Sequence, residues 1–128
     1  MKILLDTCTF LWIITDDPRL SQQARKLFID TENEVYLSVA STWEIAIKYN
    51  LDKLSLPKPP QKYIPSKRKE HDIDSLPLDE EATLYLTKLP KLHKDPFDRI
   101  LICQAIVAGL IILAPDELIT QYPLRSVW

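Results

Sequence analysis

The chain has 128 residues, of which 46% are hydrophobic and 27% are charged, with a net charge of −2 and a pI of about 5.7. This length and balance are typical of one soluble globular domain, here residues 1–128. A protein that binds polyanions through its overall charge is normally basic, so nucleic-acid binding would need local basic residues or a metal ion. Gly109 is the only glycine, which excludes the Walker A motif and the dinucleotide-binding glycine motif.

The apolar stretches predict neither a cleaved leader nor a membrane span. The run Met1–Leu5 is followed at once by an acid, and no small-residue cleavage site comes after it. The run Ile100–Ala114 is shorter than the roughly 18 residues that a span needs, and it contains Gln104. We therefore expect a cytoplasmic protein without membrane association, in which Cys8 and Cys103 are buried, reduced thiols.

Strands and helices are predicted to alternate along the chain. The first half predicts these elements: strand Lys2–Leu5, helix Thr7–Ile14, helix Gln22–Asp30 capped by Ser21, strand Val35–Val39, and a helix from Ser41 to Lys48 or Tyr49. The second half predicts these: helix Pro60–His71, strand Ile73–Leu78, helix Leu78–Leu89, helix Pro96–Ala108, strand Leu110–Leu113 and an edge strand Leu124–Trp128. Such alternation indicates a doubly wound parallel α/β sheet, which binds ligands at the carboxyl ends of its strands.

Carboxylates lie where predicted strands end or helices begin: Asp6, Glu44, Asp98 and Asp116, with Asp95 as a fifth. A parallel sheet would gather these positions at one edge, where carboxylates raise one another's pKa values unless a cation lies among them. Mg²⁺ and Mn²⁺ prefer carboxylate and water oxygens, and they activate water and stabilise charge on a scissile phosphate. The pattern therefore suggests a metal-dependent phosphodiester hydrolase.

Each acid also has a structural interpretation as a helix cap. The segment Ser41–Glu44 matches a capping box, in which the glutamate bonds back to the serine backbone. Asp95 precedes a proline and fits an N-cap, which places Asp98 at the third helical position. Asp6 and Asp116 could cap the helices that follow them. Capping alone does not explain why Asp6, rather than a neutral Ser or Thr, follows the apolar first strand.

Three sequence blocks resemble the signatures of PIN-domain nucleases: Leu4-Leu5-Asp6-Thr7, Ser41-Thr42-Trp43-Glu44-Ile45 and His93-Lys94-Asp95-Pro96-Phe97-Asp98-Arg99-Ile100-Leu101. The Asp-Pro-Phe-Asp-Arg block is the specific one. The terminal Tyr-Pro-Leu-Arg-Ser-Val-Trp is similar to that of one VapC-like subgroup. The resemblance covers nearly the whole chain and is strongest to VapC-type toxins of bacterial toxin–antitoxin pairs.

This resemblance implies a five-stranded parallel sheet flanked by helices, and Mg²⁺- or Mn²⁺-dependent cleavage of RNA. Our hypothesis is that in-line attack by metal-bound hydroxide leaves a 5′-phosphate and a 3′-hydroxyl. The metal-binding and catalytic acids of the family match these residues: Asp6, Glu44, Asp98 and Asp116. Asp6 and Asp98 would be the principal ligands, while Asp95, Thr7 and Ser41 would have supporting or capping roles. The family also implies a homodimer that is inhibited by a cognate antitoxin.

One position departs from the family pattern. The block before the fourth acid usually carries Thr or Ser, whereas here it reads Leu113-Ala114-Pro115-Asp116, so a hydroxyl that could bond a carboxylate is missing. This departure sustains a second hypothesis, a degenerate PIN domain that binds RNA or a protein without cleavage. A phosphatase with Asp6 as nucleophile is a weaker alternative, because Cys8 stands where that chemistry usually needs a second Asp.

The remaining polar and aromatic residues of the motifs allow less specific predictions. Lys48 and Arg99 could contact phosphate or form surface ion pairs. His93 is expected to hydrogen-bond within its loop rather than to act as a general base. Trp43 and Phe97 are expected in the core rather than as stacking platforms for bases.

Overall fold

The computed structural model describes residues 1–128 and contains one five-stranded sheet in which every pairing is parallel. The strands are β1 Lys2–Leu5, β2 Glu34–Ser38, β3 Ile73–Leu76, β4 Ile111–Leu113 and β5 Ser126–Val127, in the order β3-β2-β1-β4-β5. The predicted α/β fold with five parallel strands is confirmed.

Six α-helices connect the strands: α1 Thr7–Ile14, α2 Gln22–Ile29, α3 Val39–Asn50, α4 Pro60–Glu70, α5 Glu80–Tyr85 and α6 Pro96–Ala108. The helix predicted over Leu78–Leu89 is shorter, because α5 continues only as a 3₁₀ turn over Leu86–Lys88. The strand predicted to reach Leu78 ends at Leu76, since Pro77 has no N–H for the ladder. None of the helices combines the length and apolarity needed to cross a membrane.

The central strand β1 separates two hydrophobic cores. Ile3 and Leu5 pack with side chains of α1, α3 and α4, whereas Leu4 packs on the opposite face with α6. All three are fully buried, as expected for a parallel strand that is covered on both faces. This explains why β1 is apolar from Ile3 to Leu5 and why the next polar position, Asp6, marks its end.

The order of the strands places a crevice at the carboxyl end of β1. From β1 the chain continues to β2 and β3 on one side, and it later returns to β4 and β5 on the other. Ligand sites in doubly wound sheets form where the strand order reverses in this way. The backbone N–H of Asp6 donates to the carbonyl of Leu113 at 3.3 Å, which fixes the ends of β1 and β4 together.

Helix α3 begins earlier than the sequence predicts. Its N-cap is Ser38, whose Oγ accepts the N–H of Ala40 at 3.0 Å. The predicted capping box is therefore wrong: Ser41 lies inside the first turn, and its hydroxyl lies 2.9 Å from the Thr7 hydroxyl. Val39, predicted as the last residue of the preceding strand, is the first residue of the helix.

Ser38, the N-cap of α3, is also hydrogen-bonded to a side chain of α6. The Ser38 hydroxyl donates to Oε1 of Gln104 in α6, and Nε2 of Gln104 donates to the Pro77 carbonyl at 3.1 Å. Both groups of the Gln104 amide are thereby satisfied, which a buried polar side chain requires. This explains how the apolar helix α6 accommodates a glutamine.

Trp43 does not lie in the core, contrary to the prediction. Its side chain is 64% exposed on the outer face of α3, while Ile45 on the same helix is fully buried. Its ring meets the partly buried ring of Phe97 edge-on, with 5.5 Å between the centroids. The N-terminal halves of α3 and α6 are therefore in contact through their aromatic side chains.

Candidate active site

A cleft of about 500 Å³ opens at the carboxyl edge of the sheet. Its ionisable lining comprises five acids and two lysines: Asp6, Glu44, Asp95, Asp98, Asp116, Lys48 and Lys53. The fold thus gathers all five acids that the sequence singled out. Thr7 and Cys8 also line the cleft, and Lys53 is a residue that the sequence did not indicate.

Asp6 combines a structural role with a place in the cleft. Its Oδ1 accepts the N–H of Thr9 at 2.9 Å and so caps α1, while only 6% of the residue is exposed. Burial raises the pKa of Asp6, and the negative charge of Glu44 adds to this, although hydrogen bonds from Thr9 and Cys8 act in the opposite direction. The capping bond leaves Oδ2 without a backbone partner.

Cys8 is a free thiol beside Asp6. Its Sγ lies 3.4 Å from Oδ2 of Asp6, and the residue is partly exposed, which corrects the expectation that both cysteines are buried. Burial of the sulfur and the Asp6 carboxylate raise the Cys8 pKa to about 12. The thiol therefore stays protonated and donates to Asp6, while Cys103 is free and buried as expected.

Glu44 is held at both carboxylate oxygens. The Thr7 hydroxyl donates to Oε1 at 2.6 Å, and the Lys48 ammonium donates to Oε2 at 2.6 Å. Because Thr7 has a single hydroxyl proton, the Ser41 hydroxyl must be the donor in its bond to Thr7. The bond to Glu44 raises the pKa of Lys48, whose side chain is 49% exposed at the rim of the cleft.

Asp95 and Asp98 come from the start of α6. Asp95 is its N-cap, since Oδ1 accepts the N–H groups of Phe97 and Asp98 at 2.8 and 3.3 Å. Burial and then repulsion from Asp95 raise the pKa of Asp98 to about 7, although His93 acts in the opposite direction. A carboxyl in such surroundings carries its charge easily only when a cation lies close to it.

Asp116 follows β4 and caps a 3₁₀ turn over Glu117–Gln121. Its Oδ1 accepts the N–H of Leu118 at 2.9 Å, and its Oδ2 lies 2.6 Å from Nε2 of His93. The same His93 nitrogen is 3.2 Å from Oδ2 of Asp98, and these three atoms lie within 4.8 Å of one another. The side chains of α6 and of the segment after β4 therefore meet at His93.

The importance of His93 was missed by the sequence analysis. His93 does bond within its own loop, since Nδ1 accepts the N–H of Asp95 at 3.1 Å, but it also reaches Asp116, 23 residues away. The only signal in the sequence was its position beside the most specific motif. Arg99, predicted as a possible phosphate contact, does not line the cleft, and its Nε is buried without a hydrogen-bond partner.

The chemistry of the cleft suits a hard divalent cation. Its anionic donors are carboxylate oxygens, and Mg²⁺ and Mn²⁺ prefer such ligands, whereas softer metals favour thiolate or imidazole. Burial is the main cause of the raised pKa values of Asp6 and Asp98, and the neighbouring acids Glu44 and Asp95 add to it. Asp6 and Asp116 each use Oδ1 for a cap, so capping does not consume the second oxygen of either residue.

Comparison with known proteins identifies the family. The PIN domain model matches residues 3–123. Ribonuclease VapC16 of Mycobacterium tuberculosis is 38% identical over 72 residues, which are 53% of this chain and 51% of that protein, so the chain matches about half the length of this relative.

Solved structures share the fold over nearly the whole chain. DNA-bound VapBC from Salmonella typhimurium has a TM-score of 0.69 at 19% identity, covering 99% of this chain and 97% of that chain. VapBC2 from Rickettsia felis, bound to a promoter DNA fragment, has a TM-score of 0.68 at 16% identity, with 99% and 98% covered. Since the family model spans almost all of the sequence and the architecture agrees, the chain belongs to the PIN domain family.

Proposed function

We propose that the protein is a divalent-metal-dependent endoribonuclease that acts as the toxin of a toxin–antitoxin pair. The observation that carries the proposal is the convergence of Asp6, Glu44, Asp98 and Asp116 in one cleft at the carboxyl edge of the sheet. The likeness to Ribonuclease VapC16 and to VapBC complexes supports the choice of RNA as substrate and of an antitoxin as partner.

Asp6 and Asp98 would hold Mg²⁺ or Mn²⁺, with Glu44 and Asp116 completing the shell directly or through water. When bound, such an ion lowers the pKa of water and stabilises the charge that develops on a phosphate. Asp98 carries an unfavourable charge at neutral pH, because burial and neighbouring acids raise its pKa to about 7. A divalent cation would relieve this cost, so the acid cluster favours metal binding.

The side chains of the cleft supply the other requirements of phosphodiester hydrolysis. Thr7 orients Glu44. One acid of the cleft would accept a proton from the attacking water, which displaces the 3′-oxygen in line and leaves a 5′-phosphate and a 3′-hydroxyl. Lys48 and Lys53 line the cleft and provide positive charge for the phosphates of RNA in a chain whose net charge is −2.

We further propose that the domain, residues 1–128, forms a homodimer and that a cognate antitoxin covers the cleft. The proposed location is the cytoplasm, where RNA and antitoxin would both be present. Removal of the antitoxin should release the activity.

The test is cleavage of cellular RNA by the purified, antitoxin-free protein with Mg²⁺ or Mn²⁺, with EDTA as the metal-free control. Asp6→Asn and Asp98→Asn should abolish cleavage, while Asp74→Asn, which changes an exposed acid on β3 outside the cleft, should not. Cleavage that persists in both cleft variants would rule out this mechanism.

A degenerate domain that binds without cutting is the second candidate, because Ala114 lacks the hydroxyl usual for the family at this block. Calorimetric titration with Mn²⁺ distinguishes the two candidates. Tight binding that is lost in Asp98→Asn supports the nuclease, and the absence of binding to the unaltered chain supports the degenerate domain.

A further inference from the structure

We infer that His93 is a positioning residue of this site: Nδ1 of its ring accepts a backbone N–H, Nε2 donates to Asp116 and Asp98 and so orients them, and the ring is not a metal ligand. The effect of His93 on metal binding rests on the proposed function, whereas the orientation of its ring does not.

The backbone determines which ring nitrogen carries the proton. The N–H of Asp95 points at Nδ1 of His93 at a distance of 3.1 Å, and a backbone N–H can only donate. Nδ1 must therefore be the acceptor and cannot carry a proton. The ring proton is therefore on Nε2.

The proton on Nε2 points towards the acids of the cleft. Nε2 lies 2.6 Å from Oδ2 of Asp116 and 3.2 Å from Oδ2 of Asp98, so Asp116 is the main acceptor and Asp98 the weaker one. The shorter distance is typical of a hydrogen bond to a charged acceptor. Two carboxylates from distant parts of the chain thus share one donor.

The spacing of these three atoms would also fit a cation, but the hydrogen bonds argue against His93 as its ligand. Coordination through Nε2 needs a lone pair on that nitrogen, and the proton would then have to move to Nδ1. That position is blocked by the N–H of Asp95. A metal ion in the cleft would therefore be bound by the carboxylates, with His93 behind them.

The ring has little freedom to adopt another orientation. His93 is 9% exposed, and its own backbone N–H donates to the hydroxyl of the buried Tyr122 at 2.7 Å. Both carboxylate oxygens of Asp116 are also bonded, because the N–H of Leu118 donates to Oδ1 and Nε2 of His93 donates to Oδ2. Asp116 thus has a side-chain donor, although Ala114, which follows β4, carries no hydroxyl.

Two substitutions at His93 test the roles of its two ring nitrogens separately. His93→Gln can place an amide N–H near the position of Nε2, whereas His93→Asn reaches only as far as Nδ1. We expect His93→Asn to weaken Mn²⁺ binding by about tenfold, as is common for residues that orient metal ligands, and His93→Gln to restore most of the affinity. His71→Gln, at the only other histidine of the chain, is the matched control and should bind as the unaltered protein does.

A second measurement requires no substitution at the site. Nitrogen-15 NMR of the metal-free protein should show His93 as the Nε2–H tautomer, with its signals identified by their absence in His93→Gln. A proton on Nδ1, or equal Mn²⁺ affinities for the Asn and Gln variants, would overturn the inference. If the unaltered protein binds no Mn²⁺ while the tautomer is as expected, the proposed function fails and the assigned geometry stands.

Discussion

The hydroxyl of Tyr122 accepts the backbone N–H of His93 in a hydrogen bond of 2.7 Å. The same oxygen accepts the N–H of Leu92 at 3.2 Å, so one buried side chain holds the segment that carries His93. Tyr122 does not line the cleft itself. The C-terminal part of the chain therefore controls the orientation of His93 from outside the site.

Tyr122→Phe should lower both the free energy of unfolding and the affinity of the cleft for Mn²⁺. The change leaves two N–H groups without their acceptor, which costs about 1–3 kcal/mol when such groups remain buried. The free energy of unfolding in urea should fall by this amount, and calorimetry should show weaker Mn²⁺ binding. Tyr63→Phe is the control, because the Tyr63 side chain is also buried but its hydroxyl anchors no backbone group. Equal effects of the two changes would contradict the role assigned to Tyr122.

Asp98→Asn should stabilise the metal-free protein in a pH-dependent manner. The pKa of Asp98 is about 7 in the folded protein and near 3.8 in an unfolded chain, so the folded state binds the proton more tightly. Stability linked to this proton is present below pH 4 and is lost as the pH rises towards 7. The asparagine variant avoids this loss and should have the higher Tm at pH 8, with a smaller advantage at pH 5.

Thermal unfolding at both pH values, with and without Mn²⁺, tests this prediction. Saturating Mn²⁺ should reverse the order at pH 8, because the ion stabilises only a chain that can bind it. The exposed Asp74→Asn serves as the control and should show no such pattern. A Tm advantage for Asp98→Asn that is the same at both pH values would contradict the assigned pKa.

Substitutions of Asp6 should separate its role as the N-cap of α1 from the role of its negative charge. Asn is as good an N-cap as Asp, so Asp6→Asn should unfold at a urea concentration at least as high as the unaltered protein. Asp6→Ala removes the acceptor of the Thr9 N–H and should cost about 1 kcal/mol. RNA cleavage and Mn²⁺ affinity should be lost in both variants. Full cleavage by the asparagine variant would remove Asp6 from the proposed metal shell.

Ser38→Ala should be more destabilising than Ser41→Ala. The first change removes the cap of α3, worth about 1 kcal/mol, and also the donor to the buried Gln104. The second removes a hydrogen bond to Thr7 but no cap. Urea unfolding of the two variants checks this order, and the reverse order is what the capping box predicted from the sequence would have given.

The sequence predicted best what neighbouring residues determine. The apolar run of β1 and the acid directly after it were sufficient to locate the central strand and its carboxyl end. Asp95 before Pro96 combines two signals for a helix start at adjacent positions, and α6 begins there. The alternation of strands and helices then gave the parallel sheet, which brings the five acids to one edge.

Contacts between distant residues account for the errors. Ser38 and Ser41 are both acceptable caps for α3 by local pattern, but Ser38 also meets Gln104, which is 66 positions away. His93 finds Asp116 only after β4 has docked beside β1, so its motif gave no indication of a partner. Trp43 is large and aromatic, which favours burial, yet it lies on the outward face of α3.

The two edges of the sheet are poor templates for strand addition. Strand β5 has only two residues, and β3 has four and stops before Pro77, while the Arg68 guanidinium donates to the Ile73 carbonyl of β3 at 3.2 Å. Short edges and proline are features that prevent one sheet from continuing into another. A second copy of this chain, or an antitoxin segment, is therefore expected to bind without extending the sheet, and a partner in the acidic cleft would exclude the proposed RNA substrate by occupying the same space.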